Sequence, residues 1–275
     1  MVMLTHQRLG IIGAGNMGEA LLRGVLHGGL MGADRILVSA KTPERLADLN
    51  QRLKVRTTQS NLTVAEFADI VILGIKPQTM NDILTEIRPV LTQNHLLVSI
   101  AAGITTQHIE QMCGVDVPVI RVMPNTPALV GEGASAYCRG RFATAEHALA
   151  THAILDVVGI AVETTEDRMN PVTAVSGTGP AYIFYTLEAM IQAAQDLGLD
   201  PDMARLLVKQ TVLGAARLVM DSGEEPDVLR ARVTSKGGTT QAAIEYLESH
   251  GYKKLVQDAI LAACRRADAL NRGGS

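Results

Sequence analysis

Short runs of aliphatic and β-branched residues alternate with longer stretches of helical pattern from Arg8 to about Val162. The candidate strands are residues 9–12, 36–39, 70–75, 96–100, 119–122, 135–138 and 161–164. The candidate helices between them are residues 16–27, 43–52, 80–91 and 145–157. Strands separated by helices of this length are typical of βαβ units, which build a mostly parallel sheet with helices on both faces. The pattern predicts an α/β fold with a doubly wound sheet in residues 1–165.

The strand pattern stops beyond Thr165, and long helical stretches follow at residues 170–197, 201–222, 226–232, 240–250 and 252–271. Gly198, Gly223 and Gly251 stand where helix C-caps belong, and prolines stand near two of the helix starts. The 201–222 stretch is apolar around most of its circumference, whereas a surface helix carries one apolar stripe. We therefore predict an all-α C-terminal dimerisation domain in residues 166–275, which self-associates through its helices into a dimer or an assembly of dimers.

A glycine-rich turn joins the first predicted strand to the first predicted helix. The sequence LGII at residues 9–12 runs directly into Gly-Ala-Gly-Asn-Met-Gly at residues 13–18. In this context Gly13 makes the tight turn, Gly15 admits a pyrophosphate, and Gly18 lets the helix lie close to the strand. The context predicts a Rossmann-type dinucleotide site, lined by Ile12, Gly13, Ala14, Gly15, Asn16, Met17 and Gly18.

The end of the second predicted strand bears on the choice of cofactor. An NAD-selective protein places Asp or Glu there to hold the ribose hydroxyls, but this chain has no carboxylate until Glu44. Ser39, Lys41, Thr42 and, from a nearby loop, Asn61 can instead hold a 2′-phosphate. We expect NADP(H) as cofactor, with NAD(H) as the alternative. That Lys41 is an ordinary solvated surface lysine is the competing interpretation.

Three further loops follow predicted strands, at the carboxyl ends where open α/β sheets bind ligands. Small residues in them let a flat nicotinamide approach the backbone, and Lys76 is their one strong charge. Lys76 is interpreted either as a cofactor contact, which its place directly after a strand favours, or as a solvated lysine. The residues expected to contact the cofactor here are Gly74, Ile75, Lys76, Pro77, Ile100, Ala101, Ala102 and Asn125.

Residues 233–241, with the sequence VTSKGGTTQ, lie between two predicted helices of the C-terminal part. Hydroxyl side chains flank the glycine pair at 237–238; they belong to Thr234, Ser235, Thr239 and Thr240. Glycines expose backbone amides, and the free N–H groups of a helix start favour an anion. The turn can therefore hold a small carboxylate without a fixed positive charge. A plain helix cap would account for the Thr240 hydroxyl, but less readily for the glycine pair and the other hydroxyls.

These segments resemble the pyrroline-5-carboxylate reductases over nearly the whole chain. The resemblance rests on IGAGNM at 12–17, IKP at 75–77, SIAAG at 99–103, MPNTPA at 123–128, VSGTGPAY at 175–182, and segments of 226–248 around the hydroxyl-rich turn. Two departures are visible: Lys236 stands where family members often have Pro, and Thr178 stands where they usually have Ser. Neither removes a group that the chemistry needs.

The resemblance implies NAD(P)H-dependent reduction of 1-pyrroline-5-carboxylate to L-proline, the last step of proline synthesis, by a protein that pairs through its C-terminal helices. It implies that Ser235 and the backbone of Gly237, Gly238, Thr239 and Thr240 hold the substrate carboxylate. It also implies that the Thr240 hydroxyl faces the imine nitrogen and is the catalytic group. Glu166 matches a position that is associated with the bound ligands and is counted with the cofactor residues.

The chemistry agrees with the residue types in these motifs. A protonated cyclic imine accepts a hydride readily, so the protein mainly has to position the reactants. None of the seven histidines lies in a site motif. A β-hydroxyacid dehydrogenase has a similar layout but needs a lysine base on the long interdomain helix, and residues 182–198 contain none. A cofactor-binding sensor without catalysis is the remaining alternative.

Charge and cysteine content narrow the partners and the compartment. A net charge of −3 gives no reason to expect nucleic acid or a membrane surface as partner. Cys113, Cys138 and Cys264 have neither paired spacing nor a metal-ligand pattern, so we expect no metal and a reduced, cytoplasmic setting. The N-terminus lacks a signal-peptide arrangement, and no apolar run reaches membrane-spanning length.

Overall fold

The computed structural model describes Leu4 and residues 6–273, with side chains through Leu270. The strands are β1 (Leu9–Ile12), β2 (Ile36–Ser39), β3 (Arg56–Thr58), β4 (Ile70–Leu73), β5 (Leu96–Ser99), β6 (Val119–Met123), β7 (Gly133–Arg139) and β8 (Gly159–Glu163). They form one eight-stranded sheet in the order β3-β2-β1-β4-β5-β6-β7-β8. All neighbours are parallel except β6 and β7. The predicted doubly wound, mostly parallel sheet is confirmed.

The helices of the sheet-containing part are α1 (Asn16–His27), α2 (Pro43–Leu53), α3 (Asn61–Phe67), α4 (Met80–Ile87), α5 (Thr106–Cys113), α6 (Ala145–Asp156) and the short α7 (Met169–Val172). Alternate strand residues pack into two separate apolar cores, because successive side chains point to opposite faces of a sheet. Leu9 and Ile11 pack with α1, α2 and α6 on what we call face A. Ile12 and Leu73 pack with α3, α4 and α5 on face B.

Sequence patterns missed the short elements β3, α3 and α5. Strand β3 has the sequence RTT and lies at the sheet edge, so it carries no apolar run. Helices α3 and α5 span only seven and eight residues. Each is fixed by a side-chain cap: the Ser60 Oγ accepts from the Thr63 N–H, and the Thr105 Oγ1 accepts from the His108 N–H, both at 3.1 Å.

The predicted single helix over residues 170–197 is wrong at its start. The chain instead forms α7, a π-helical segment (Thr173–Gly177), and then α8 (Gly179–Asp196). The Thr178 N–H donates to the Thr173 carbonyl at 2.9 Å, which is the wider π spacing. The Thr173 and Ser176 hydroxyls donate to carbonyls four residues back, at 2.7 and 3.1 Å. Such side-chain bonds compete with the regular helical ladder.

The later helices are α9 (Pro201–Ser222), α10 (Pro226–Arg232), α11 (Thr239–Ser249) and α12 (Tyr252–Gly273). Every described element after β8 is helical, a change that falls where the domain boundary is predicted. The compact units divide differently: the first runs through Thr178 and includes α12 from Ala263, and the second is Gly179–Ala262. Gly198, Gly223 and Gly251 have φ values of +88°, +65° and +69°, as expected for left-handed C-caps.

Helix α9 leaves most of its large apolar residues uncovered within the single chain. Leu206 is 69% exposed and Met220 is 73% exposed, whereas the buried residues of the helix are Ala204 and Val208. An apolar surface of this kind marks an interaction site in a stable protein.

Candidate functional site

The turn between β1 and α1 has the geometry that a dinucleotide site needs. Gly13 has a φ of +90°, which favours glycine. A Cβ at Gly18 would lie 2.7 Å from the Gly13 carbonyl oxygen, so glycine is what lets α1 approach the strand. A Cβ at Gly15 would meet nothing within 4 Å. The open space therefore lies at Gly15, at the start of α1, where N–H groups favour an anion.

Alanine substitutions at Gly15 and Gly18 should separate cofactor binding from folding. Gly15→Ala should leave thermal stability unchanged and weaken NADPH binding about tenfold, because its methyl group takes space that the pyrophosphate needs. Gly18→Ala should lower the free energy of unfolding by about 1–3 kcal/mol, because its methyl group meets backbone. Thermal unfolding and fluorescence titration with NADPH measure the two effects. NADPH binding that is equal in wild type and Gly15→Ala would contradict the placement.

Sequence reasoning missed Arg45, which holds this turn from α2. The Arg45 Nε and Nη2 donate to the Ala14 carbonyl oxygen at 3.1 and 3.0 Å. The guanidinium also pairs with Glu19 on α1, and Arg52 of α2 donates to the same Glu19 at 2.9 Å. These bonds keep the Ala14 carbonyl occupied. They join α2 to the β1–α1 turn and to α1, and so stabilise the turn.

Two of the four groups predicted at a 2′-phosphate, Ser39 and Asn61, are in contact. The buried Ser39 at the end of β2 donates its hydroxyl to the Asn61 Oδ1 at 2.7 Å, and the Asn61 Nδ2 donates to Glu86 at 2.8 Å. Lys41 is exposed, and its carbonyl oxygen accepts from the Gln59 side chain at 3.3 Å. The Lys41 ammonium forms no ion pair among the described residues.

The loops after β4 and β5 lie at the carboxyl ends of two neighbouring parallel strands. Gly74 donates its N–H to the Ile12 carbonyl at 2.8 Å, and this bond joins the loop after β4 to the glycine turn. A Cβ at Gly74 would lie 2.5 Å from the Gly13 carbonyl oxygen. Lys76 is exposed, Ile75, Pro77 and Ile100 are half-buried, Ala101 is buried and Ala102 is exposed.

A cavity of about 570 Å³ opens beside these loops, within the first compact unit. Pro77, Ala102 and Gly103 line it together with His108, and Arg266 of α12 supplies a cation. The His108 Nε2 is 2.7 Å from the Asn81 Oδ1. A cavity of this size accommodates part of a dinucleotide. Sequence patterns offer no signal for Arg266, because it lies far along the chain from the loops that line the same cavity.

The Asn125 side chain is already engaged inside the protein. Asn125 is 8% exposed; its Nδ2 donates to the Ser176 carbonyl at 3.1 Å, and its Oδ1 accepts from the Ala134 N–H at 2.9 Å. The side chain thus ties the loop after β6 to the π-helical segment and to β7. A cofactor contact at this position would come from the backbone.

Glu166, predicted among the cofactor residues, is the centre of a polar network on face B. Its Oε2 accepts from the N–H and the hydroxyl of Thr106 at 3.1 and 2.7 Å, and its Oε1 pairs with the buried Arg121 of β6. The Arg121 Nη2 is buried and has no hydrogen-bond partner among the described residues. The Cys138 Sγ lies 3.5 Å from the same carboxylate. Burial, followed by the charge of Glu166, raises the pKa of the Cys138 thiol to about 12.

The hydroxyl-rich turn lies in the second compact unit, between α10 and α11. Gly237 has a φ of +70°, and its N–H donates to the Gln241 Oε1 at 2.7 Å. Gly238 precedes the first turn of α11 and donates its N–H to the Ser235 carbonyl at 3.0 Å. The Thr234 hydroxyl turns away to the Arg230 carbonyl, at 2.6 Å.

The remaining hydroxyls of this turn are available to a ligand. Those of Ser235, Thr239 and Thr240 have no hydrogen-bond partner in the described part of the chain, and α11 has no side-chain N-cap bond. The interpretation of Thr240 as a helix cap does not fit, because Thr240 lies inside α11. The predicted substrate residues are thus contiguous in one turn, and the predicted cofactor residues belong to the other unit.

Two kinds of feature are absent from the described residues. Among the residues that the structure describes, no group of three His, Cys, Asp or Glu side chains could hold a metal ion. Within the same residues, no helix combines the length and the apolar character that crossing a membrane requires.

Comparison with known proteins gives matches along the whole chain. Residues 166–270 match the family model for pyrroline-5-carboxylate reductase dimerisation, and residues 8–103 match the model for NADP oxidoreductase, coenzyme F420-dependent. The pyrroline-5-carboxylate reductase of Methanosarcina acetivorans is 38% identical over 98% of this chain and 100% of that protein. The enzyme of the same name from Pseudomonas aeruginosa is 39% identical over 97% of this chain and 98% of that protein.

Solved structures give the same result. A pyrroline-5-carboxylate reductase from Coxiella burnetii superposes with a TM-score of 0.91 at 36% identity, covering 96% of this chain and 98% of that chain. The Plasmodium falciparum pyrroline carboxylate reductase, solved with NADP bound, has a TM-score of 0.87 at 30% identity, covering 97% and 98%. A prephenate dehydrogenase from A. aeolicus, at 17% identity and a TM-score of 0.56, shares the fold.

Proposed function

This chain belongs to the pyrroline-5-carboxylate reductase family, and from that premise we propose which of its groups perform the reaction. The reaction is the NAD(P)H-dependent reduction of 1-pyrroline-5-carboxylate to L-proline, the last step of proline biosynthesis. The observation that carries the assignment of roles is the turn at 235–240. There, three unpaired hydroxyls and the start of α11 meet in one exposed segment.

The substrate carboxylate is held by the Ser235 hydroxyl and by the backbone from Gly237 to Thr240. Within it the N–H groups of Gly237 and Gly238 are donated to Gln241 and Ser235, so those of Thr239 and Thr240 are the ones that face the carboxylate. This arrangement suits a carboxylate because N–H groups at a helix start carry partial positive charge. Gly238 lets the backbone come close, since a Cβ there would collide with the Ser235 hydroxyl. No fixed cation is needed for a single negative charge at such a site.

The Thr240 hydroxyl holds the ring nitrogen of the substrate. The imine nitrogen carries a proton, which makes the neighbouring carbon electron-poor; when bound, the reduced nicotinamide supplies the hydride to that carbon. The C=N π electrons become the nitrogen lone pair, and the nitrogen keeps its proton as the secondary amine of proline. The chain therefore contributes orientation and one hydrogen bond and needs no strong acid. The histidines accordingly have no part in the proposed substrate site.

The reduced cofactor is held by the residues around β1, β2, β4 and β5. The fit is supported by the open space at Gly15 and by the free N–H groups at the start of α1. We assign the 2′-phosphate of NADP(H) to Ser39, Asn61 and Lys41. The Ser39 Oγ and the Asn61 Oδ1 are already 2.7 Å apart, and the exposed Lys41 side chain can turn toward them. Arg45 contributes indirectly by fixing the Ala14 carbonyl.

The preference for NADPH is tested by steady-state kinetics with pyrroline-5-carboxylate. We expect a KM for NADPH about tenfold below that for NADH. Lys41→Ala should remove most of this difference by raising the KM for NADPH alone. The reason is that one hydrogen bond to a charged group contributes about 1.5–3 kcal/mol. Oxidation of the cofactor is followed by its absorbance. Unchanged KM values in Lys41→Ala would support the competing interpretation, in which Lys41 is a solvated surface lysine. No oxidation at all would favour a sensor without catalysis.

Self-association and compartment complete the proposal. The dimerisation family match and the uncovered apolar surface of α9 support pairing through the C-terminal helices, as a dimer or an assembly of dimers. The three cysteines are free thiols, which supports a reduced, cytoplasmic setting. A net charge of −3 supports small molecules and a second copy as partners, with neither nucleic acid nor a membrane surface among them.

A further inference from the structure

The peptide group between Ala14 and Gly15 lies at the centre of the glycine turn, and its neighbours leave it free to rotate. Gly13 and Gly15 flank Ala14, and glycine restricts the backbone dihedral angles least. The peptide is trans, because the described residues contain no cis peptide bond. In a trans peptide the C=O and the N–H point in opposite directions. A group that holds the Ala14 carbonyl therefore also sets the direction of the Gly15 N–H.

Arg45 holds this carbonyl from the side of α2. Its Nε and Nη2 both donate to the Ala14 oxygen, so the planar fork of the guanidinium fixes the carbonyl with two bonds. The Gly15 N–H then points away from α2, and the described residues supply no backbone acceptor for it. A side chain at Gly15 would also meet open space. The Gly15 N–H is thus a free donor whose direction is set by Arg45.

Glu19 places a negative charge in the first turn of α1, beside the position where a pyrophosphate has to bind. Burial alone raises the pKa of Glu19, but the hydrogen bonds from Arg52 and Arg45 outweigh it, and the pKa lies below its ordinary value of 4.5. The carboxylate is therefore charged and repels an anion. Arg45 and Arg52 pair with both Glu19 and Asp48, so that two cations face two carboxylates. The cluster as a whole is neutral.

We propose that Arg45 is a positioning residue for the cofactor: by holding the Ala14 carbonyl, it aims the Gly15 N–H at the pyrophosphate. The inference rests on the proposed cofactor site. The pyrophosphate is common to NADPH and NADH, so the role is the same for both cofactors. A direct contact to the 2′-phosphate is the competing role, since Arg45 follows Lys41 by four residues. The bonds favour positioning, because all three nitrogens of the Arg45 guanidinium already bind acceptors of the protein.

Arg45→Met tests this role, because methionine keeps an unbranched side chain but donates no hydrogen bond. The substitution should raise the KM for NADPH and the KM for NADH by the same factor, about tenfold, and leave kcat nearly unchanged. Steady-state kinetics gives the KM values, and fluorescence titration with each reduced cofactor gives the affinities without turnover. A rise for NADPH alone would identify Arg45 as a 2′-phosphate ligand and overturn the proposal.

Arg52→Met is the matched control. Arg52 lies on the same helix and donates to the same Glu19 at 2.9 Å, but its hydrogen bonds go to Glu19 and Asp48 and not to Ala14. The substitution removes one positive charge, as Arg45→Met does, and leaves the bonds to the Ala14 carbonyl in place. We expect a rise of about threefold or less in either KM, on the scale of a partly exposed ion pair. Equal rises in the two variants would show that charge alone matters and would refute the positioning role.

The double variant Arg45→Met/Glu19→Gln separates the direction of the N–H from the charge of the cluster. It removes one cation and one carboxylate together, so the cluster stays neutral while both bonds to the Ala14 carbonyl are lost. Most of the rise of about tenfold in both KM values should therefore remain. Thermal unfolding shows that the variants are folded. Recovery of the wild-type KM values in the double variant would overturn the proposal.

The titrations also distinguish this inference from the cofactor site on which it rests. A wild-type protein that binds neither reduced cofactor would contradict the proposed cofactor site, and the role of Arg45 with it. Wild-type binding that is unchanged in Arg45→Met would contradict the role of Arg45 alone and leave the cofactor site as proposed.

Discussion

Replacing Thr240 by alanine should lower turnover by more than about tenfold and leave the affinity for NADPH nearly unchanged. The Thr240 hydroxyl has no partner among the described residues and is assigned to the ring nitrogen, where charge changes during hydride transfer. The substitution removes this one hydrogen bond and a methyl group from a half-buried position in the first turn of α11, and alanine favours a helix, so folding should not be affected. Single-turnover kinetics and NADPH titration measure the two quantities separately.

The matched control for Thr240 is Thr239, its neighbour in the same turn of α11. Thr239→Ala removes an equally unpaired hydroxyl, but the proposal uses only the backbone of Thr239. We expect a small rise in the KM for the substrate and little change in turnover. Wild-type turnover in Thr240→Ala, or an equal loss in both variants, would refute the special role of Thr240.

Removing the Glu166 carboxylate should destabilise the protein by about 3–5 kcal/mol, the range for breaking a buried ion pair from one side. Glu166→Leu leaves Arg121, whose side chain is 2% exposed, without a counter-charge, and a guanidinium does not lose its proton. The converse change, Arg121→Met, should cost less, because the Glu166 side chain is 34% exposed and water can reach it. Denaturant unfolding of both variants tests this asymmetry; equal losses would contradict it.

The same pair predicts a pH dependence. Burial alone raises the pKa of Glu166, but the hydrogen bond from Thr106 and the charge of Arg121 outweigh it, and the pKa lies below its ordinary value of 4.5. A lowered carboxyl pKa in the folded state contributes stability that is present above the unfolded pKa and is lost as the pH falls through the folded pKa. The difference in unfolding free energy between wild type and Glu166→Leu should therefore shrink from neutral pH to about pH 3.

The sequence was sufficient for the elements and turns whose signals are local. The glycine turn, the long helix α9 and the hydroxyl-rich turn each occupy one continuous segment, and the patterns placed them correctly. The contacts that could not be predicted from the sequence join residues that are distant along the chain. Arg45 reaches a carbonyl 31 positions away, and Glu166 meets Thr106 across 60 positions. Neither contact leaves a periodicity or spacing in the chain.

The π-helical segment illustrates the same limit in another way. Residues 170–197 read as one helix because their apolar spacing is helical. At the break, Thr173–Gly177, side-chain hydroxyls donate to backbone carbonyls, and the Asn125 Nδ2 donates to the Ser176 carbonyl at 3.1 Å. A residue about fifty positions upstream thus satisfies a carbonyl group of this segment. Local propensity cannot report such a competition.

A single carbonyl oxygen, that of Gly13, limits how this dinucleotide turn can be engineered. Side chains at Gly18 or Gly74 would come within 2.7 and 2.5 Å of it, respectively. Since the obstacle is backbone, a mutation elsewhere cannot relieve it by repacking. The turn therefore cannot be redesigned for another nucleotide by a single substitution at Gly18 or Gly74. The accessible route runs through the end of β2, where the exposed Lys41 can be exchanged without disturbing the crossing of strand, loop and helix.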